Sequence, residues 1–209
     1  MNFGDIKIQV ATFLQDTDYE TWPAPEIGIH INHGLVEMCR RGRMLRQWSS
    51  ALTASATTPL TAFYALPTDL IEIIDVFDTG GDSILRRVSI QDLGTTWDTD
   101  TGTPYAYLLL GTELRIYPYL TAARTLKVHY VQGAASLSVS SDTPAIPPMF
   151  HIGLAWYALA QCYKKDTEEE SPIKARFYQG EFERVLDDAA RLASRTYDAS
   201  EVVIPYRDL

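Results

Sequence analysis

The residues that could support hydrolysis fall in one short segment. Residues 78–80 read Asp-Thr-Gly, the tripeptide of aspartic proteases, in which two carboxylates share a proton. The chain has one copy, followed by Gly-Asp-Ser at 81–83. A hairpin turn uses the same residue types for positive φ and local capping, so a turn is the favoured interpretation. A serine nucleophile would need an activating His, and no Asp-x-x-His pair follows near the C-terminus. The sequence therefore predicts no catalytic residue, and a small hydrolase using Asp78 or Ser83 is an alternative.

Metal binding has one weak candidate. His30 and His33 lie three residues apart with Glu37 one turn beyond, a spacing that puts imidazoles and a carboxylate on one helix face. The whole chain has four histidines, and surface or interface positions are the favoured interpretation. Cys39 and Cys162 share no ligand motif and are expected to be small buried thiols. No metal or other cofactor is predicted.

One cluster of positive charge stands out in an acidic chain. It lies at the end of the predicted second helix and comprises Arg40, Arg41, Arg43 and Arg46. Such arginines complement the helix dipole and can pair with acids on a partner surface. Contact with a DNA backbone is the alternative. We expect this cluster to form a subunit interface or to line a channel, together with an acidic loop that contains Glu168, Glu169 and Glu170.

Composition narrows the class of protein. The chain has 209 residues, 46% of them apolar, and a net charge of −9. These values exclude a wholly disordered chain, and the negative charge is opposite to that of most free-standing nucleic-acid binders. Two cysteines exclude a disulfide-dense scaffold. We expect a soluble protein from a reducing compartment, with free thiols, no targeting signal and no membrane span.

The elements that must position these residues are helical at the ends and β in the middle. Apolar spacing predicts a helix over 6–14, a second over 25–48, a third over 150–163 and a long fourth over 172–193. Between about 60 and 132, alternating apolar residues and turn signals predict five or six mostly antiparallel strands, because the connections look too short for crossover helices. The predicted fold class is α+β, a four-helix bundle with an inserted, mostly antiparallel β-sheet domain and an extended C-terminal arm.

The predicted domains follow from this order. Residues 1–50 and 144–198 form the helical domain, and 51–143 form the inserted β domain with its polar connectors. Residues 199–209 form an arm. The arm is too short for a core of its own yet carries apolar residues, which favours docking on a partner. Folding back onto the chain's own sheet is the alternative. The candidate docking residues are Val202, Val203, Ile204, Pro205, Tyr206 and Leu209.

Several motifs in a fixed order resemble one known family. They are the Trp-Pro at 22–23, the Tyr-Ala-Leu-Pro-Thr-Asp-Leu at 64–70, the Leu-Arg-Ile-Tyr-Pro at 114–118, the Ile-Pro-Pro-Met-Phe at 146–150 and the Ala-Arg-Phe-Tyr-Gln-Gly-Glu-Phe at 175–182. In this order they resemble the head-to-tail adaptor (connector) proteins of tailed bacteriophages, especially short-tailed ones. The resemblance extends over most of the chain.

The resemblance implies a structural protein of the virion. Such adaptors form a ring, usually a dodecamer, under the portal, where they extend the DNA channel and provide a platform for tail or nozzle proteins. It also implies a location at the capsid-tail junction, assembly in the host bacterial cytoplasm, and a C-terminal segment that reaches the portal. Double-stranded DNA would pass without sequence-specific binding, since an acidic wall repels it. The family carries over no catalytic residue.

Two further alternatives stay open beside the hydrolase. The first is a tail-tube or tail-completion protein lower in the neck. The second is a bacterial ligand-binding or adaptor module with no role in the virion.

Overall fold

A computed structural model describes residues 1–53, 63–93, 100–119, 125–165 and 171–197. Its contacts divide the chain into two compact units. The helical unit comprises residues 1–44 and the described residues from 134 onward, and the sheet unit comprises Leu45–Gly133. In the described part of the chain, no helix has the length and apolarity that a membrane crossing requires.

The helical unit contains four helices among its described residues: α1 (Phe3–Leu14), α2 (Ala24–Gly42), α3 (His151–Cys162) and α4 (Pro172–Tyr197). A capping box between Asn2 and Asp5 starts α1. Helix α2 ends earlier than the predicted residue 48, because Arg43 adopts a left-handed conformation with φ of 50°. The residues that follow, Arg46–Trp48, form a strand.

The predicted four-helix bundle is wrong, and the reason lies in α3. This helix is apolar almost all round, with Leu154, Ala158 and Leu159 fully buried. It therefore packs against α1, α2 and α4 at once, whereas α1 and α4 make at most marginal contact with each other within the described residues. The result is one central helix covered by three others, instead of four equivalent helices around a shared core.

The sheet unit also differs from the predicted insert of five or six mostly antiparallel strands, because its eight described strands form a curled mixed sheet. Its described strands are β1 (Arg46–Trp48), β2 (Leu52–Thr53), β3 (Tyr64–Ala65), β4 (Leu70–Asp78), β5 (Ser83–Arg87), β6 (Ala106–Leu110), β7 (Glu113–Tyr117) and β8 (Thr125–Gln132). They pair in the order β1-β8-β4-β5-β6-β7-β3, with β2 also on β8. The sheet curls into a half-barrel and is mixed. Strands β5 and β6 are parallel, because residues 88–105 between them are long enough for a crossover.

The interior of the half-barrel forms the core of the sheet unit. Val76, Leu114, Leu126 and Val128 are fully buried there, at alternate positions of β4, β7 and β8. This period of two is the pattern that the sequence shows along Leu126, Val128 and Tyr130.

The polar segment before α3 is tightly held. The side chain of Asn32 on α2 accepts a hydrogen bond from the Leu137 N–H at 2.8 Å and donates one to the Leu137 carbonyl at 3.0 Å. The carbonyl of Asp142 accepts from the Phe3 N–H at 2.7 Å, and that of Ser140 accepts from the Gly4 N–H at 2.9 Å. This segment thus satisfies backbone donors at the start of α1 that no helical carbonyl can reach.

Candidate assembly surfaces

The four predicted arginines do not form one patch within one unit. Arg40 donates two hydrogen bonds to Glu37 on its own helix, at 3.1 and 2.9 Å. Arg41 donates to Glu183 on α4, at 2.9 and 2.5 Å. Arg43 terminates α2, and Arg46 lies on β1 in the sheet unit. At least Arg41 is thus engaged within the helical unit.

The other predicted interface residues belong to the acidic loop and the arm. Glu168, Glu169 and Glu170 lie outside the described residues, as do the arm residues Val202, Val203, Ile204, Pro205, Tyr206 and Leu209. Among the described residues, Arg41 pairs with Glu183. Hydrogen bonds from Arg41 hold the pKa of Glu183 below its usual value.

The candidate hydrolase residues form a hairpin turn. Asp78 is the last residue of β4, is fully buried, and accepts a hydrogen bond from the Gly80 N–H at 3.0 Å. Ser83 begins β5 and is the direct cross-strand partner of Asp78. Asp82 adopts a φ of 49°. This geometry agrees with the turn interpretation and gives the Asp78 carboxylate a local structural use.

The histidines of α2 have different surroundings. His30 lies 3.9 Å from Glu26, which also accepts a hydrogen bond from Lys165 at 2.7 Å. Burial lowers the pKa of His30, whereas His33 is exposed. Across the described ranges, no three His, Cys, Asp or Glu side chains are grouped closely enough to hold a metal ion.

Both thiols are free and buried, as expected from the sequence. Burial raises the pKa of Cys39, and it raises the pKa of Cys162 to about 12. A buried thiol with a raised pKa has little thiolate and is chemically inert.

Helix α3 has one side that the other three helices leave open. A row of aromatic rings crosses this side from α1 to α4. The Phe13 ring lies 5.2 Å from that of Trp156, and Trp156 stacks on Tyr178 at 5.6 Å. Phe177, 61% exposed, adjoins Tyr178. Trp156 thus forms the floor of a gap between α1 and α4.

The same gap continues along α3 and α4. A cavity of about 460 Å³ opens between the turn that starts α3 and the C-terminal half of α4; its lining includes Met149, Val185, Leu192 and Arg195. Met149 is 68% exposed. Tyr178, Val185 and Leu192 recur every seven residues, so they share one face of α4. We call this surface the open side; its residues are Phe13, Met149, Trp156, Phe177, Tyr178, Val185 and Leu192.

Helix α2 carries a second exposed apolar surface. Its buried face contains Ile27, Ile31 and Leu35, yet Ile29 and Val36 are 54% and 50% exposed. With His33 and Arg40, these two residues form what we call the outer stripe of α2. Sequence reasoning missed both surfaces. The signal was present, because Ile29 and Val36 fall at helical spacing opposite the core positions.

Trp48 is an exposed aromatic residue of the sheet unit. Trp48 on β1 stacks on His129 of β8 with ring centroids 4.8 Å apart. His129 lies 3.4 Å from Asp75 on β4. The three residues are aligned by the strand register.

One family profile matches nearly the whole chain. The profile of the SU10 adaptor protein family matches residues 1–204. The chain belongs to the SU10 adaptor protein family. The resemblance to phage head-to-tail adaptors is thereby confirmed. No curated protein matches this adaptor in sequence.

Family membership gives the adaptor a structural role in a phage virion. Adaptors of this kind contact portal and tail proteins, so exposed apolar surfaces have an expected use as contacts within an assembly. A structural role is consistent with the hydrogen bond that Asp78 accepts within its turn and with the burial of both thiols.

Proposed function

We propose that this adaptor forms a ring, a dodecamer in the usual arrangement, beneath the portal of a tailed phage. The ring extends the DNA channel and provides the platform to which tail or nozzle proteins attach. The observation that carries the proposal is the match of the adaptor family to residues 1–204 of a 209-residue chain. A match over this length covers both units and reaches into the arm.

The arm is the proposed contact with the portal. Residues 202–206 read Val-Val-Ile-Pro-Tyr, and Leu209 ends the chain. Such a segment has no room for a core of its own and gains stability when a partner covers its apolar side chains. Extended chain spans roughly 3.3 Å per residue, so residues 198–209 can reach on the order of 40 Å beyond α4.

The charge of the chain supports a channel through which DNA slides. Each subunit carries a net charge of −9, and a ring multiplies it. A negative wall repels the phosphate backbone and holds no sequence-specific contact, which favours passage over binding. Assembly in the host bacterial cytoplasm, before the particle is complete, is part of the same proposal.

Native mass spectrometry of the chain co-expressed with its cognate portal tests the proposal, with and without residues 200–209. A portal-bound ring that is lost on truncation supports both the ring and the arm. A ring that survives truncation supports the ring and removes the arm from the contact. If no complex with the portal forms, but one with a lower tail protein does, the chain is a tail-tube or tail-completion protein instead.

A further inference from the structure

We infer that the open side of one copy receives the outer stripe of α2 from a second copy. The inference rests on the proposed ring and specifies how neighbouring subunits would meet in it. The occupant is thus a helix of this same chain, with Ile29 and Val36 as its apolar contacts. The receiving surface is the gap between α1 and α4, with Trp156 at its floor.

The two surfaces lie on opposite sides of the helical unit. Helix α2 contacts α1, α3 and α4, whereas α1 and α4 make at most marginal contact among the described residues. The gap between α1 and α4 must therefore lie across α3 from α2. The outer stripe faces away from α3, because Ile31 and Leu35 on the other face are buried. A contact between opposite sides is heterologous, and repeated heterologous contacts close into a ring when the rotation allows it.

The spacing of the apolar residues matches. Ile29 and Val36 are seven positions apart, which is about 10 Å along a helix. On the receiving side, Val185 and Leu192 are also seven positions apart on one helix, α4. A convex helix with two apolar side chains at this spacing can place one against Trp156 and the other against Met149 and Leu192.

Charge gives the contact an orientation. The loop after α1 carries Asp18 and Glu20, both exposed. It leads to Trp22, whose ring lies 6.2 Å from Tyr163, and Tyr163 stacks on Tyr178 at 5.8 Å. The acidic loop therefore borders the aromatic end of the open side.

The C-terminal end of α2 is basic, with Arg40 and Arg41 in its last turn, and Arg40 is exposed. Placing this end at the acidic loop puts Val36 near Trp156 and Ile29 near Leu192. The reverse orientation would put Arg40 at the end of the cavity that Arg191 and Arg195 line together with Asp188, where positive charge is in excess.

Disulfide cross-linking in the portal-bound assembly tests the contact and its orientation. The variants are Ile29→Cys and Leu192→Cys, and the native Cys39 and Cys162 are fully buried and do not compete. We expect a mixture of the two single variants to give cross-linked dimers, each single variant alone to stay monomeric under denaturing conditions, and the double variant to give a ladder of multimers. A mixture of Ile29→Cys with Phe13→Cys, at the other end of the gap, should not cross-link.

Each contrary result has a distinct meaning. A ring seen by native mass spectrometry without Ile29–Leu192 cross-links overturns the inference and leaves the proposed function standing. Dimers from Ile29→Cys alone would show that α2 meets α2, which also overturns it. If neither ring nor portal complex forms, the proposed function fails and the inference fails with it.

A charge placed in the contact gives an independent measurement. Val36→Glu should reduce the yield of portal-bound rings by at least about tenfold, because a carboxylate would be buried against Trp156. Ile84→Glu is the matched control, since Ile84 is an exposed apolar residue of the sheet unit. Equal ring yields for the two variants, both with native circular dichroism, would contradict the inference.

Discussion

Arg41 and Glu183 are 142 residues apart in sequence, yet they join the end of α2 to the middle of α4 through two parallel hydrogen bonds. The pair is bidentate, the geometry that a guanidinium and a carboxylate prefer. The pair links α2 to α4 at the surface of the helical unit, where the two helices are neighbours. An arginine that looks available for a partner in the sequence is in this way used within the fold.

Arg41→Met should lower the free energy of unfolding by up to about 1 kcal/mol at neutral pH, because both partners are partly exposed and solvent weakens the pair. Urea unfolding measures the loss. Arg40→Met is the control, since its partner Glu37 lies three residues away on the same helix and ties no other helix. A larger loss from Arg40→Met than from Arg41→Met would contradict the assignment.

The pH dependence of the same pair has a definite sign. Arg41 lowers the pKa of Glu183 in the folded state, so the folded state resists protonation more than the unfolded one. The stabilisation is fully present above the ordinary pKa of about 4.3 and is lost as the pH falls through the lowered folded value. The difference between wild type and Arg41→Met should therefore disappear in acid. A difference that persists at pH values well below the folded pKa would show another cause.

Two helical glycines should respond in opposite ways to alanine. At Gly153 a Cβ would lie 2.5 Å from Met38 Cε and 2.8 Å from Val185 Cγ1, so Gly153→Ala forces apart the contacts of α3 with α2 and α4. We expect a net loss of about 1–2 kcal/mol, since overpacking exceeds the gain in helix propensity. At Gly180 nothing lies within 4 Å, and Gly180→Ala should stabilise by about 0.5–1 kcal/mol. Thermal or urea unfolding measures the change in stability of each variant. Equal changes for the two variants would contradict the packing argument.

Part of the architecture can be predicted from the sequence, and part cannot. The type and order of the helices follow from apolar spacing. The apolar circumference of α3 already implies that several other helices pack around it, which argues against a bundle of four equivalent helices. The parallel pairing of β5 and β6 does not follow from local pattern, since register between distant strands depends on how the whole sheet closes.

The open side and the outer stripe of α2 were not predicted, because both depend on contacts between residues far apart in sequence. Burial of Ile27 and Ile31 is visible in the helical period, and the same period puts Ile29 and Val36 on the opposite face, but it does not show whether another part of the chain covers that face. Which side of α3 stays open depends on the contacts of α1 and α4, which lie far apart in sequence. Charge is equally ambiguous, because Arg41 and Arg40 are one residue apart and have different partners.

Alanine substitutions of Asp78 and Ser83 test whether this hairpin has a structural role or belongs to a hydrolase. Asp78→Ala should lower the free energy of unfolding by about 1–3 kcal/mol, because it removes a buried carboxylate that holds the Gly80 N–H. Ser83→Ala should change it by less than about 0.5 kcal/mol. Urea unfolding, with hydrolysis of ester and peptide substrates measured in parallel, distinguishes the two. A fully stable Asp78→Ala variant that loses a measurable hydrolytic activity would favour the enzyme.

Asn32 should control the segment that caps α1, and hydrogen exchange can show it at a single amide. Asn32→Ala removes the acceptor of the Leu137 N–H and the donor to its carbonyl, so protection of the Leu137 amide should fall by at least about tenfold, with a loss of stability of about 1–3 kcal/mol. The amides of Ser138 and Val139 serve as internal controls, because they donate to the Asp142 carboxylate at 2.7 and 2.9 Å and not to Asn32. If all three amides lose protection equally, the segment opens as one unit and Asn32 is only one of several ties. If the Leu137 amide is unchanged, the two hydrogen bonds to Asn32 do not hold the segment in solution.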